Sequence, residues 1–206
     1  MNEIEKTGQA EFDFAAPNPA QKEPSALPPF LRQEGFYFVA LGGAEKVGMN
    51  MYAYISDGRI IVVDAGYDFL NDDFPGMELG LADPAWLESY RDCIDAMFIT
   101  HSHEDHFGAI AHIWPRLRCP VYATDFTIGH ILPRLREYKL ENEVELISVN
   151  QNPVVKLPDF EVEYVPVVHS LPENSALRIK TKYGTVFHAT DWRFDDCHIV
   201  FYENLL

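Results

Sequence analysis

The stretch 100-THSHEDHFGAIAHIWP-115 decides how this chain is read. Its positions 101 to 106 carry three histidines and two acids. Ahead of them, 94-IDAMFIT-100 is an apolar run of strand length. Behind them, Phe107, Ile110, Ile113, Trp114 and Leu117 recur at three- and four-residue steps. That spacing predicts a helix beginning near Asp105 or His106, ended or bent at Pro115. The cluster therefore occupies a strand-to-helix loop. On an extended segment His101 and His103, two apart, send their side chains to one face, and Asp105 and His106 follow as the chain turns. Zinc accepts imidazole and carboxylate ligands, and its catalytic sites leave a position for water. Paired metals about 3.5–4 Å apart clamp both the attacking and the leaving oxygen of a phosphoryl or acyl centre. A merely histidine-rich surface loop has no reason to follow a buried strand directly.

Six residues cannot complete two metal spheres, so other ligands must come from distant parts of the chain. His169 follows the strand-like 160-FEVEYVPVV-168, and Asp191 follows 186-VFHAT-190; a carboxylate at 191 can bridge two ions. Asp64, at the end of 59-RIIVVDAG-66, reads as an acceptor that orients a ligand histidine. His188 is a weaker candidate for the same supporting role. His112 and His130 fall on helices away from the cluster, and His198 in the irregular end of the chain.

The rest of the sequence bounds the answer. With 206 residues and a 47% hydrophobic share, the chain is long enough for one domain with a real core. Residues 1–33, rich in Pro and Ala, read as a disordered tail that docks at most through Phe30 or Leu31, and 34–206 as the folded domain. No apolar run reaches the roughly 20 residues of a membrane span, the N-terminus lacks the pattern of a signal peptide, and Cys93, Cys119 and Cys197 form no CxxC pair. A cytoplasmic protein with reduced thiols is expected. Net charge is −16, with nine acids against one base, Arg91, from Asp64 to Asp95, which reads as a solvated face. Such a chain repels nucleic acid unless bound cations reverse the local potential. Strands are expected at 36-FYFVALGG-43, 51-MYAYIS-56 and 59–66, the last two joined by an Asp57-Gly58 turn, and a short helix at 83–92. Another strand is expected at 121–124 and a helix at 126–138, capped by Thr124 or Asp125 and kinked at Pro133. Strands dominate the remainder. The order suggests a sheet-rich, layered α/β (α+β) domain rather than a doubly wound one.

These residues resemble a known family. HSHEDH matches the HxHxDH signature of the metallo-β-lactamase superfamily, and the chain is similar to the ribonuclease J family of its β-CASP group from about Phe36 to Asp196. LGGAEKVGMNMY, FPG ahead of LADP, HSLPEN and HATDW carry that likeness beside the cluster. The resemblance implies a metallo-β-lactamase αββα sandwich. It implies His101, His103 and His169 around one zinc, Asp105 and His106 around a second, and Asp191 between them, with another divalent metal an alternative. It further implies a metal-bound hydroxide attacking RNA phosphodiesters, in 5′-to-3′ exonuclease or endonuclease cleavage, with Asp105 doubling as a proton acceptor.

Two departures stand out. Glu45-Lys46 replaces the family's usual Gly-Glu, and the likeness stops after Asp196, so the β-CASP insert, the returning segment of the sandwich and its last histidine ligand are not found. The sandwich is then expected to be incomplete at its C-terminal side, with His198 a stand-in ligand by position only. The open sheet face left there is a reason for a homo-oligomer. Two other readings stay open: a thioesterase or lactonase of the same superfamily, glyoxalase II-like, and a non-catalytic zinc-binding remnant.

Overall fold

A computed structural model of the protein describes residues 34–45, 47–70, 75–151 and 153–194. The tail 1–33 with Phe30 and Leu31, Lys46, Phe74 of the FPG motif, and Asp196, Cys197 and His198 lie outside the described residues. In chain order the elements are β1 (Phe36–Gly42), β2 (Met51–Ser56), β3 (Arg59–Val63), β4 (Tyr67–Phe69), β5 (Leu79–Leu81), α1 (Ala85–Glu88) and β6 (Ile94–Phe98). They continue with α2 (Glu104–Phe107), α3 (Ile110–Leu117), β7 (Val121–Ala123), α4 (Asp125–Glu137), β8 (Leu146–Ser148) and β9 (Val154–Lys156). The last are β10 (Glu161–Pro166), β11 (Ser175–Thr181) and β12 (Gly184–His188).

A six-stranded sheet in the order β1-β2-β3-β6-β7-β8 faces a four-stranded one in the order β12-β11-β10-β9, while β4 and β5 form a separate hairpin. The tight Asp57-Gly58 turn, with φ of 48° and 83°, joins β2 and β3 as its sequence signals. From β3 onward the large sheet is parallel, β3 to β6 to β7 to β8. The β6 run is apolar because both of its faces are covered.

One face of the large sheet packs on the helices through Ile60, Val62, Met97, Ile110, Ile113 and Leu117. The other packs on the small sheet through Ile61, Val63, Phe98, Val162, Leu177 and Ile179. The layers thus run helices, sheet, sheet. This is the sheet-rich layered architecture expected, and among the described residues no helix covers the outer face of the small sheet. That face carries the paired charges Arg178–Glu163 and Lys180–Glu161. Tyr164 of β10 stitches the sheets together, donating to the Tyr122 carbonyl at 2.8 Å.

Several local expectations need correction. The helix after the cluster is not ended by Pro115: α3 runs to Leu117 and closes on left-handed Arg118 at φ 52°. A proline forfeits one bond of the helical ladder. Buried Trp114 and Leu117 anchor the last turn regardless. The break lies earlier, at Gly108-Ala109, where the Ala109 amide leaves the helical ladder for the Ala65 carbonyl at 2.9 Å. α4 continues across Pro133, and Thr124 is its cap, accepting from the Thr127 amide at 3.4 Å. Within the acidic stretch, the β4–β5 hairpin went unanticipated because its strands are three residues each, too short to establish a period. Asp64, counted with that solvated face, is fully buried.

Candidate metal centre

Parallel pairing builds the site. Val63 and Phe98 are register partners, so the residues that leave β3 and β6 emerge side by side at one rim of the sandwich. Asp64 there takes a left-handed φ of 62°, uncommon for a residue with a Cβ, and its amide donates to the Phe98 carbonyl at 2.9 Å. The next turn is held by Ala65, whose amide reaches the His106 carbonyl at 2.7 Å. Gly66 passes so close to Asp105 that a Cβ would overlap the Asp105 carbonyl, which is why glycine is needed at that position. The same rim receives the chain leaving β10 and β12, which bring His169 and Asp191 from the other sheet.

All six ligand candidates converge. Ligand atoms of His101, His103, His169 and Asp191 lie within 4.8 Å of one another, and so do those of Asp105, His106 and Asp191. Asp191 belongs to both groups. His103 Nδ1 is 3.0 Å from His101 Nε2 and 3.1 Å from His169 Nε2. His106 Nε2 stands 3.7 Å from carboxylate oxygens of both Asp105 and Asp191.

Behind these atoms the hydrogen bonds fix which ring nitrogens face inward. Asp64 accepts from the Thr100 amide at 2.8 Å and from the Thr100 hydroxyl at 3.0 Å. With its proton spent on Asp64, the Thr100 hydroxyl is an acceptor toward His101 Nδ1 at 3.0 Å. His101 thus carries its proton on Nδ1 and turns a lone pair inward. His106 Nδ1 donates to Asp64 Oδ2 at 2.8 Å, which likewise leaves Nε2 facing the carboxylates. Thr190, also left-handed at φ 49°, donates to Thr100 at 3.0 Å and ties the Asp191 turn to the same network.

The electrostatics agree with a cation site. Burial, reinforced by His106, His103 and His169, pushes His101 down to about 2, so it stays a neutral donor. Burial also opposes a charge on His106, yet Asp64, Asp191 and Asp105 prevail and hold it up to about 10. The bond from His106 keeps Asp191 down at about 2 against its partial burial. Carboxylates gathered here draw positive charge so strongly that a buried imidazole takes a proton to answer them. Inward lone pairs and ionised carboxylates are the donor set a divalent metal requires, and the residues fit one.

Asp64 lies just beyond β3, with His106 Nδ1 bonded to its Oδ2, a supporting position of the kind the sequence suggests for it. His188 has its Nδ1 facing the Tyr54 hydroxyl at 3.0 Å, and its ring packs edge-on against Tyr52. It lines a cavity of about 480 Å³ beside the cluster, together with Asn50, Tyr52, Asp105, His106 and Asp191. His130, bonded to the Phe126 carbonyl, and His112, against Tyr138, lie on exposed helix faces as expected. Thr100, Gly66 and Asn50 escaped the sequence reading. Thr100 adjoins the cluster, Gly66 follows Asp64 just beyond β3, and Asn50 lies in the run LGGAEKVGMNMY, so their positions were the available signal.

Residues 59–202 match the model of the β-lactamase superfamily domain. The chain belongs to the β-lactamase superfamily. Its superfamily relatives include a protein from Sinorhizobium meliloti named ribonuclease J, 40% identical over 80% of this chain and 30% of its own length. Ribonuclease J of Mycolicibacterium smegmatis is 37% identical over 82% of this chain and 30% of its own, and ribonuclease J2 of Bacillus subtilis 28% over 79% and 29%. The chain therefore spans about 30% of the length of the curated relatives it matches, within their N-terminal part. Among solved structures, the metallo-β-lactamase fold protein YhfI of Bacillus subtilis aligns with a TM-score of 0.56 at 17% identity, covering 80% of this chain and 65% of that one. That likeness shows the superfamily fold.

Proposed function

We propose that this chain is the metallo-β-lactamase portion of a metal-dependent ribonuclease of the ribonuclease J kind, hydrolysing RNA phosphodiesters as a 5′-to-3′ exonuclease, an endonuclease or both. The observation that carries the reading is the sharing of Asp191 by two ligand groups, one of three histidines and one of Asp105 and His106. The names of the relatives supply the substrate class. Among the described residues no helix is long and apolar enough to cross a membrane, and a cytoplasmic location goes with the reading.

Two divalent cations, zinc first among them, would supply Lewis acidity and an activated water when bound. His101, His103 and His169 would hold one, Asp105 and His106 the other, with Asp191 between. The chain's own residues do the rest. Asp64 and Thr100 fix the histidine tautomers, so lone pairs rather than N–H groups face the cations. Asp105, partly exposed on the cavity wall, is placed to accept the proton of the attacking water. The cavity, about 480 Å³ and lined by Asp105, His106 and Asp191, is where a phosphodiester would dock. The cations also answer the net charge of −16, which otherwise repels RNA.

Metal analysis of the purified chain, with parallel assays on 5′-monophosphorylated RNA and on a thioester, tests this. Two equivalents of metal with turnover of the RNA alone are expected. Thioester turnover without RNA cleavage would replace this reading with that of a superfamily thioesterase, and bound metal without either turnover would leave a metal-binding remnant.

A further inference from the structure

Asn50 lies in the run LGGAEKVGMNMY, and the structure builds its side chain into the wall of the site. It follows Gly48, at φ 97°, and Met49, at φ 50°, a turn that ends just before β2. Two backbone bonds hold it there: its amide donates to the Asp105 carbonyl at 3.0 Å, and its carbonyl accepts from the Gly66 amide at 3.0 Å. The side chain is buried. One end of its amide group meets two oxygens of Asp105, the carbonyl at 3.1 Å and Oδ2 at 3.2 Å, and lies 3.1 Å from His106 Nε2. Two oxygens at one end require that end to be the NH₂ group. The Tyr52 hydroxyl then donates to Asn50 Oδ1 at 2.9 Å and closes the arrangement.

We propose that Asn50 is a positioning residue for the second metal, holding the Asp105 carboxylate in register beside His106 through its NH₂ group while Tyr52 fixes the direction of the amide. The inference rests on the metal centre of the preceding subsection and adds a residue to it. The choice of side chain has a chemical reason. A lysine or arginine would also bond Asp105, but its charge would compete with the cation. An amide presents donors with no net charge, so the carboxylates keep their attraction for the metal. An alternative role, oxygen ligand to the metal, requires the opposite amide orientation and makes an opposite prediction.

Cobalt(II) titration of the metal-stripped chain, followed by visible absorption and by counting bound equivalents, separates these outcomes. The parent chain should bind two equivalents. Asn50→Asp, equal in size but without the N–H donors, should keep the first equivalent and weaken the second by about 10–100-fold, the loss usual for groups that orient a ligand. Asn50→Ala should do the same, and Tyr52→Phe should move the second equivalent in the same direction by less. Circular dichroism checks the fold of each, and Tyr52→Phe keeps the ring that packs the site should Asn50→Ala fail to fold. Unchanged binding of both equivalents by Asn50→Asp overturns the inference, and tighter binding overturns it in favour of an oxygen ligand. A parent chain that binds no second equivalent overturns the two-metal reading along with it.

Discussion

His106 Nδ1 donates to Asp64 Oδ2 across 2.8 Å, and both side chains are buried. The two residues stand 42 positions apart and meet because β3 and β6 run parallel and end together. Removing the carboxylate leaves a buried imidazole facing Asp105 and Asp191 with nothing to fix its tautomer. Asp64→Ala is expected to destabilise the fold by about 3–5 kcal/mol, the range for breaking one side of a buried pair. Urea unfolding monitored by circular dichroism measures it; a change under 1 kcal/mol would show that the pair does not hold the rim together.

The same pair sets a pH dependence in the metal-stripped protein. His106 is held up to about 10 in the folded chain, with an ordinary value near 6.5 when unfolded. Its contribution to stability is therefore fully present below about pH 6.5 and is lost as pH rises toward about 10. Thermal unfolding of the chelated protein between these limits should show a falling midpoint. Asp64→Asn should flatten the fall, and an equally steep slope in that variant would assign the titration elsewhere.

His103 sits between two other imidazoles, so its removal should empty its ligand group. His103→Ala is expected to lose bound metal and RNA hydrolysis together, while His130→Ala, whose ring bonds only its own helix, changes neither. Metal content after gel filtration decides between them. Full occupancy in His103→Ala would remove that residue from the ligand set.

Glu173 joins the His169 loop to α4. Its carboxylate accepts from the Phe126 amide at 2.9 Å and from Asn150 Nδ2 at 3.1 Å, at the helix end where amides lack partners. Glu173→Ala is expected to cost about 0.5–2 kcal/mol, as the loss of a cap does. It should also weaken metal binding, because the loop it anchors carries His169. Denaturant titration and metal titration on one preparation test both, and loss of stability with unchanged metal affinity would make the contact purely structural.

What the sequence disclosed follows from how far each interaction reaches along the chain. His101 to His106 were legible because a strand, a ligand cluster and a helical apolar face adjoin in fifteen or so residues, each with its own period. His169 and Asp191 could be proposed from strand ends, but their meeting with the cluster depends on how two sheets stack, which no local period encodes. Asn50 and Thr100 were invisible for a related reason. Their roles consist of single hydrogen bonds to partners brought near by β pairing, and an asparagine before a strand looks like any turn residue. For His188 the sequence offered only nearness to Asp191, and alternation in β12, which turns its ring toward Tyr54, is not legible from that. Pro115 shows tertiary packing overruling a local rule.

The ligand candidates are drawn from both halves of the sandwich: four leave the end of a strand in the larger sheet, and His169 and Asp191 leave strands of the smaller one. The metal centre proposed for them would work as a clasp at an otherwise open hem. Stripping it should let that margin fray while the far margin stays sewn, so amides of residues 167–174 and 189–193 would exchange with solvent sooner than those of β10 and β11. Loading the protein and finishing its architecture are then one event.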